Sequence, residues 1–371
     1  MKLAISAIRT KDTKLNRFEL IKSLQQKGYQ VSYLGQQSNC EIHKDYEKYN
    51  VSFVPIPLIR NNLNPIKEIV SIYRIIKILK KARFEAIILY GIRTFPTMIL
   101  SSKIAGVKNI VSIVNGSGSL FKLKGIKGKL TKLISYPMLM LSFSLSNHIF
   151  IQNKDDLNLL KSKKLLLRNN YSKINGSGVN VEDYPFLSLE KQNIFTMISR
   201  LTGEKGVNEF LQAAKNVKKQ FPETIFRLIG PIDNFDKTLN FKLLNDCINN
   251  NIVESVGEVE DVRSYLENTR VFVLPSYYPE GVPRSILEAM SMGRPIITTN
   301  SSGCKETVIS NRNGIKIDPR DSLQLTKAMI SMIKSPDLTE EMGIQSTVIA
   351  KEKFDVRNIN NEMLKKFNFL G

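Results

Sequence analysis

Short apolar runs alternate with helix-length amphipathic segments through both halves of the chain, and this alternation restricts the fold more than any other feature of the sequence. "KLAISAI", "YQVSYLG", "EAIILYG", "KNIVSIVNGSG" and "NHIFIQN" read as strands. Between them lie segments such as "LNRFELIKSLQQKG", "NPIKEIVSIYRIIKILKKARF" and "TFPTMILSSKIAGV", with helical spacing. Strand, crossover helix and next strand form the repeating unit of a parallel sheet. The turn-rich "INGSGVNVEDYPFLSLEKQN", with Pro185 inside it, reads as a connection, and a second alternation follows. Its strands are "IFTMIS", "IFRLIG", "IVESVG", "VFVLPS", "PIITTN" and "GIKID". With 371 residues the chain exceeds the roughly 250–300 that one core serves. The expected fold is α/β, two doubly wound Rossmann-like domains in tandem, at 1–180 and 181–352.

Ligands of such sheets bind at the carboxyl ends of strands, so residues just after each strand are the candidates for chemistry. In "VFVLPSYYPEGVPRSILEAMSMG" a strand ends at a proline, Glu280 and Gly281 follow, and a helix opens at Pro283 with Glu288 inside it. Amides and the positive end of that helix then face the ligand edge, with two carboxylates at different depths. In "IFTMISRLTGEKGVNEF" Arg200 directly follows a strand, Gly203 and Gly206 loosen the turn, and Lys205 precedes the next helix. Two cations beside a helix N-terminus suit a diphosphate. A pair of acids, or an Arg and a Lys five apart, would mean little in isolation; their positions after strands carry the argument.

These segments, with "FRLIGPID", "VGEVEDVRSYL", "RPIITTNSSGCKETV" and "NGSGVNVEDY", resemble the family 4 retaining glycosyltransferases of the GT-B fold, over nearly the whole chain. The likeness is to a bacterial subgroup that adds a hexose or N-acetylhexosamine from a UDP-sugar to a polyprenyl-diphosphate-linked saccharide in capsule, O-antigen, exopolysaccharide or glycan assembly. The resemblance implies that Arg200 and Lys205 hold the donor diphosphate, that Glu288 binds the ribose hydroxyls, and that Glu280 touches the donor sugar. The amides of Gly281, Val282 and Arg284 would surround sugar and phosphate beside Pro283. It implies a donor held mostly by the C-terminal domain in an interdomain cleft, and a final segment, 353–371, packed back on the N-terminal domain. No cofactor is expected, the UDP-sugar being a substrate.

Two histidines and no Asp-x-Asp triplet leave no support for a bound metal. Cleavage of the sugar–phosphate bond would be met by fixed cations and helix ends. The family's front-side route to retention would make Glu280 an orienting group rather than a covalent nucleophile. The sequence departs from the family where a histidine commonly follows an N-terminal strand: "IILYGIRTFP" has Tyr90 and Arg93 there, and His43 and His148 fit that place poorly. A glycine pair common in the first loop is also absent from "ISAIRTKDTKLNRFEL". Arg9, Arg17, Arg93 and Asn115 are the polar candidates for contacts to the acceptor.

The net charge of +20 is not evenly spread. Residues 1–180 carry 30 Lys and Arg against 9 Asp and Glu, a net +21, and residues 181–371 carry 24 against 25, a net −1. Such a field attracts anionic membranes or nucleic acid. "LFKLKGIKGKLTK" sets Lys122, Lys124, Lys127, Lys129 and Lys132 among apolar residues, the pattern of a peripheral membrane surface. Solvating lysines on an ordinary helix are the plainer alternative. Nucleic acid is disfavoured, since the chain has no tryptophan, zinc pattern or RNA-binding consensus. A GT-B enzyme with a soluble acceptor stays open, whereas a dinucleotide-dependent oxidoreductase lacks its Gly-x-Gly-x-x-Gly. Residues 133–151 have the length of a membrane span but carry Pro137, serines, Asn147 and His148, and read as a buried helix leading into a strand. Three scattered cysteines and no leader-like start suggest a cytoplasmic chain on the inner face of the plasma membrane.

Overall fold

The structure, a computed structural model, describes residues 1–7, 17–36, 46–58, 65–118, 120–123 and 125–366. The chain divides into two compact units, Met1–Ser177 with Val356–Gly371, and Gly178–Asp355. The connection and the return crossing leave the second unit side by side, for Val179 N donates to Phe354 O at 2.9 Å.

The first unit is a seven-stranded parallel sheet in the order β3-β2-β1-β4-β5-β6-β7. Its strands are β1 (Lys2–Ser6), β2 (Gln30–Gly35), β3 (Ser52–Pro55), β4 (Ala86–Tyr90), β5 (Asn109–Val114), β6 (His148–Ile151) and β7 (Tyr171–Lys173). Central strands are apolar on both faces because helices cover both. On one face Ile75, Met98, Phe143 and Leu160, from four successive helices, pack on Ile87, Leu89 and Ile149. On the other, Leu20 and Leu24 of the helix Phe18–Gln26 pack with Ile359 and Met363 of the helix Val356–Lys366 on Ile5, Ile88 and Phe150.

The second unit is a six-stranded parallel sheet in the order β10-β9-β8-β11-β12-β13. It consists of β8 (Ile194–Ile198), β9 (Ile225–Ile229), β10 (Glu254–Gly257), β11 (Val271–Leu274), β12 (Ile296–Thr299) and β13 (Gly314–Ile317). Between β8 and β9 the helix Val207–Lys218 buries Val207, Phe210, Leu211, Ala214 and Val217, one stripe at helical spacing. All six strands expected in this half are present, and both sheets are doubly wound. Among the described residues only the edge strands β3 and β7 escape the sequence reading. Each is merely part-buried, so neither writes a continuous apolar run.

Residues 133–151 do form a helix leading into a strand, β6, and depart from expectation only in burial. A single helix runs Gly125–Leu145, reaching back through the basic segment, and it is not a buried helix. Leu139 and Phe143 are buried, yet Leu133 and Ile134 stand 71% and 58% exposed.

Arg294 fastens the connection to the second sheet. It is fully buried, and its guanidinium donates to the carbonyls of Thr269 at 2.8 Å, Met292 at 2.8 Å, Ser188 at 3.1 Å and Glu267 at 3.3 Å, and also to Leu187. These oxygens close two helix ends and the incoming connection, where a forked cation is favoured. Burial pulls its pKa down to about 10, so it keeps its charge at neutral pH. Arg294→Ala orphans those carbonyls together and should cost about 3 kcal/mol or more in denaturant unfolding; a loss within about 0.5 kcal/mol would show that the fork is dispensable.

Candidate active site

In the second sheet the winding direction reverses between β8 and β11: the chain leaves β8 toward β9 and leaves β11 toward β12, opening a crevice at their carboxyl ends. Arg200 and Lys205 follow β8, and Glu280 follows β11. The loop after β8 meets those after β11 and β9 without side-chain clearance. A Cβ on Gly206, whose φ is +85°, would lie 2.2 Å from Pro275 O, and one on Gly203 would lie 2.2 Å from Thr238 O. Glu204 O accepts from Tyr277 N at 2.9 Å and from Tyr278 N at 3.1 Å.

That stitching sets Lys205 against Glu280. Lys205 Nζ lies 2.5 Å from Glu280 Oε2, while Ser276 Oγ donates to Glu280 Oε1 at 2.7 Å. The two side chains are 15% and 14% exposed, so the pair is reachable from outside. The loop after β12 closes the floor, where a Cβ on Gly303 (φ +79°) would strike Gly281 O at 1.6 Å. Below it Cys304 is wholly buried, and its thiol is pushed up to about 12 by burial, with Glu280 adding to the effect.

Arg200 Nη1 lies 3.8 Å from Asp233 Oδ2. Asp236 anchors the turn by accepting from Gly203 N at 3.0 Å and Thr238 N at 2.7 Å. Burial raises its carboxyl, but those hydrogen bonds and nearby Arg200 outweigh it and hold it below the ordinary range. Each cation expected from the sequence therefore faces a carboxylate. Among the described residues no three His, Cys, Asp or Glu side chains are grouped to hold a metal ion.

Gly281, Val282 and Pro283 are buried and lead into the helix Arg284–Ser291. Pro283 (φ −66°, ψ 121°) is the cap preceding the helix rather than part of its first turn, a one-residue correction that leaves Arg284 to open it. One turn on, Glu288 Oε1 accepts from Arg284 Nε at 2.7 Å and Tyr184 OH at 3.2 Å. Burial raises the Glu288 carboxyl, and Arg284 pulls it back in part. Tyr184 is raised in turn by burial and by Glu288. The sequence reading gave neither side chain a role: Arg284 was read only for its amide, and Tyr184 stands 104 residues before its partner. Its quoted setting, "NGSGVNVEDY", was the available signal.

The candidates of the first unit have separate surroundings. Arg17 lies 3.8 Å over the Tyr90 ring and donates to Tyr33 OH at 3.3 Å. Arg93, in the turn Ile92–Thr94 after β4, and Asn115, after β5, are exposed. His148 begins β6 and so sits at the edge opposite the ligand edge, bonded to Ser172 Oγ at 2.9 Å. Arg9, His43 and Lys124 lie outside the described residues, as do the side chains of Lys122 and Lys127.

Two consequences are measurable. Because burial raises Glu288, the ionised form is disfavoured by folding. Stability complete below the unfolded carboxylate pKa of about 4.3 is lost as pH climbs through the folded value. Glu288→Gln should thus gain in melting temperature relative to the parent between about pH 4 and pH 7, and a pH-independent difference in calorimetry would contradict this. Gly206→Ala, at positive φ and against Pro275 O, should destabilise by about 1–2 kcal/mol or more in chemical denaturation.

Residues 182–347 match the model of the family described as glycosyl transferases group 1. Among curated relatives, the N,N'-diacetylbacillosaminyl-diphospho-undecaprenol alpha-1,3-N-acetylgalactosaminyltransferase of Campylobacter jejuni is 25% identical over 75% of this chain and 76% of its own. The UDP-Gal:alpha-D-GlcNAc-diphosphoundecaprenol alpha-1,3-galactosyltransferase of Escherichia coli is 25% identical over 77% and 76%. Among solved structures, Anabaena HepE in complex with UDP superposes with a TM-score of 0.79 at 16% identity, covering 100% of both chains. The second unit is therefore a glycosyl transferases group 1 domain, in a chain with the GT-B fold.

Proposed function

We propose that this protein is a retaining, metal-independent glycosyltransferase that moves a hexose or N-acetylhexosamine from a UDP-sugar, UDP-N-acetylgalactosamine in first place, to a polyprenyl-diphosphate-linked saccharide. The observation that carries the reading is the Lys205–Glu280 contact at the reversal of the second sheet, with Arg200 in the same loop after β8. Support for the acceptor class comes from relatives named for GalNAc and Gal transfer to undecaprenyl-diphosphate saccharides.

On this reading the diphosphate lies between Arg200 and Lys205. Lys205 has three hydrogens to share, so it keeps Glu280 in place while donating to a phosphate oxygen. Glu288 spends Oε1 on Arg284 and Tyr184, which leaves Oε2 for the ribose hydroxyls. As the anomeric carbon–oxygen bond breaks, negative charge grows on the departing UDP, and fixed cations stabilise it more than the ground state. The acceptor hydroxyl attacks from the face that UDP leaves and passes its proton to the leaving phosphate oxygen, so configuration is retained. Glu280, held by Lys205 and Ser276, orients the sugar. The first unit, with Arg17, Arg93 and Asn115 as candidate contacts, receives the acceptor. The chain works as a peripheral protein on the inner face of the plasma membrane.

The deciding experiment incubates the purified protein with a panel of UDP-sugars and a polyprenyl-diphosphate disaccharide. Acceptor-dependent UDP release, with an α-linked product by NMR from an α-linked donor and an unchanged rate in EDTA, is expected. Absence of transfer from every donor would overturn the reading, and an inverted anomer or EDTA sensitivity would overturn those parts of it. Lys205→Ala and Arg200→Ala should each lower kcat/KM by about 10²–10³-fold. Glu288→Ala should act mainly on the KM for the donor, by about tenfold or more.

A further inference from the structure

The helix Gly125–Leu145 is apolar on the side that should face water. Ile126, Leu130, Leu133, Ile134, Met138 and Leu141 are 87%, 58%, 71%, 58%, 44% and 53% exposed. Their spacing of 0, 4, 7, 8, 12 and 15 residues draws one continuous stripe along the outer face, while Leu139 and Phe143 on the inner face complete the core. A helix with apolar residues on both its inner and outer sides is ordinarily enclosed. The stripe does not stand by itself: the helix packs on Phe95–Ile104, which packs on Pro65–Ala82. Those neighbours add Ile104 at 50%, Ile69 at 65% and Tyr73 at 57% exposed.

We infer that this three-helix face of the first unit docks on an anionic lipid membrane, with the stripe of Gly125–Leu145 lying in the plane of the headgroup layer. Charge selects lipid over a second copy of the chain. Lys129 on the first helix, Lys103 on the second and Arg74, Lys77, Lys80 and Lys81 on the third are all exposed. Gly125–Leu145 contains no acidic residue, and the one acid of Pro65–Ala82, Glu68, accepts from Thr97. Two such faces brought together by a twofold axis would set lysine against lysine. Anionic headgroups accept the lysines while the acyl boundary accepts the stripe. No helix among the described residues is long and apolar enough to cross a membrane, so the stripe lies on the bilayer rather than through it.

The stripe also has a direction. In a parallel sheet the crossover helices run against the strands, so their N-terminal halves lie at the strands' carboxyl edge. Ile126, Leu130, Leu133 and Ile134 belong to that half of their helix, as do Ile69 and Tyr73 to theirs. Met138, Leu141 and Ile104 continue the face toward the other edge, so docking along the whole stripe lays the ligand edge of this unit beside the lipid surface together with the rest of the face. This deepens the proposed use of a lipid-linked acceptor, and in purpose it rests on that reading, although the surface can be tested without it.

The chain contains no tryptophan, so Leu133→Trp supplies a single tryptophan in the stripe, excited selectively at the red edge where tyrosine does not absorb. Its emission should shift to the blue when phosphatidylglycerol-containing vesicles are added and stay unchanged with pure phosphatidylcholine. Leu130→Glu combined with Ile134→Glu, both at exposed positions, should lower the vesicle partition coefficient by about tenfold or more. Transfer to a water-soluble acceptor analogue should stay at the parent rate. An unshifted tryptophan, parental vesicle binding by the double variant, or a lipid-free dimer that the double variant dissociates would each overturn the inference. Loss of all transfer with vesicle binding intact would count against the enzymatic reading alone.

Discussion

The candidate site depends on two loops coming closer than side chains allow. Where β8 and β11 lie side by side, Gly206 has no room for a Cβ against Pro275 O, and Gly303 has none against Gly281 O. Backbone packed so tightly has no slack, so Lys205 and Glu280 meet with little freedom to separate. Opposite charges held this way compensate part of each other's cost of burial. A ligand that brings negative charge to Lys205 then enters a preformed arrangement, with little reorganisation to oppose it.

Burial elsewhere follows the same logic with different outcomes. Glu288 is enclosed with a cation and a phenol on one oxygen, and still desolvation wins, leaving the carboxyl above its ordinary range. Arg294 is enclosed among backbone carbonyls that it hydrogen-bonds directly, with Glu190 and Glu267 acting on it only through their charge. At Cys304 burial outweighs the hydrogen bonds of Thr298 and Thr299 and the charge of Lys205, and the thiol is held neutral. The unit thus places its charged groups in graded surroundings: reachable at Lys205 and Arg200, enclosed at Glu288, sealed at Arg294.

The first unit combines two requirements on one set of helices. Their inner sides must fill the sheet face, as Phe143 and Met98 do, while the outer sides of three of them carry more apolar surface than packing needs. Tyr90, at the end of β4, is covered by Arg17, so the carboxyl edge there is shaped by a cation stacked on a ring. That contact joins residues 73 apart, which explains why Arg17 read only as a loose polar candidate.

What the sequence determined by itself was the architecture and the list of groups at the second sheet's edge. Parallel strands covered on both faces must be written as unbroken apolar runs, and Arg200, Lys205, Glu280 and Glu288 can be located by counting from the ends of those runs. β3 and β7 were silent because an edge strand needs only partial burial. The pairing of groups was decided by the tertiary structure alone. That Lys205 meets Glu280, that Tyr184 reaches Glu288 and that Arg294 gathers carbonyls from the connection and two helix ends depends on loops far apart in the chain arriving together. The same holds for Gly125–Leu145. Its apolar residues fall on both its sides, among lysines and serines, and only the position of the sheet beneath it decides which side is core and which is left facing outward. Composition records how much apolar surface a helix has, whereas burial depends on which neighbours the fold supplies.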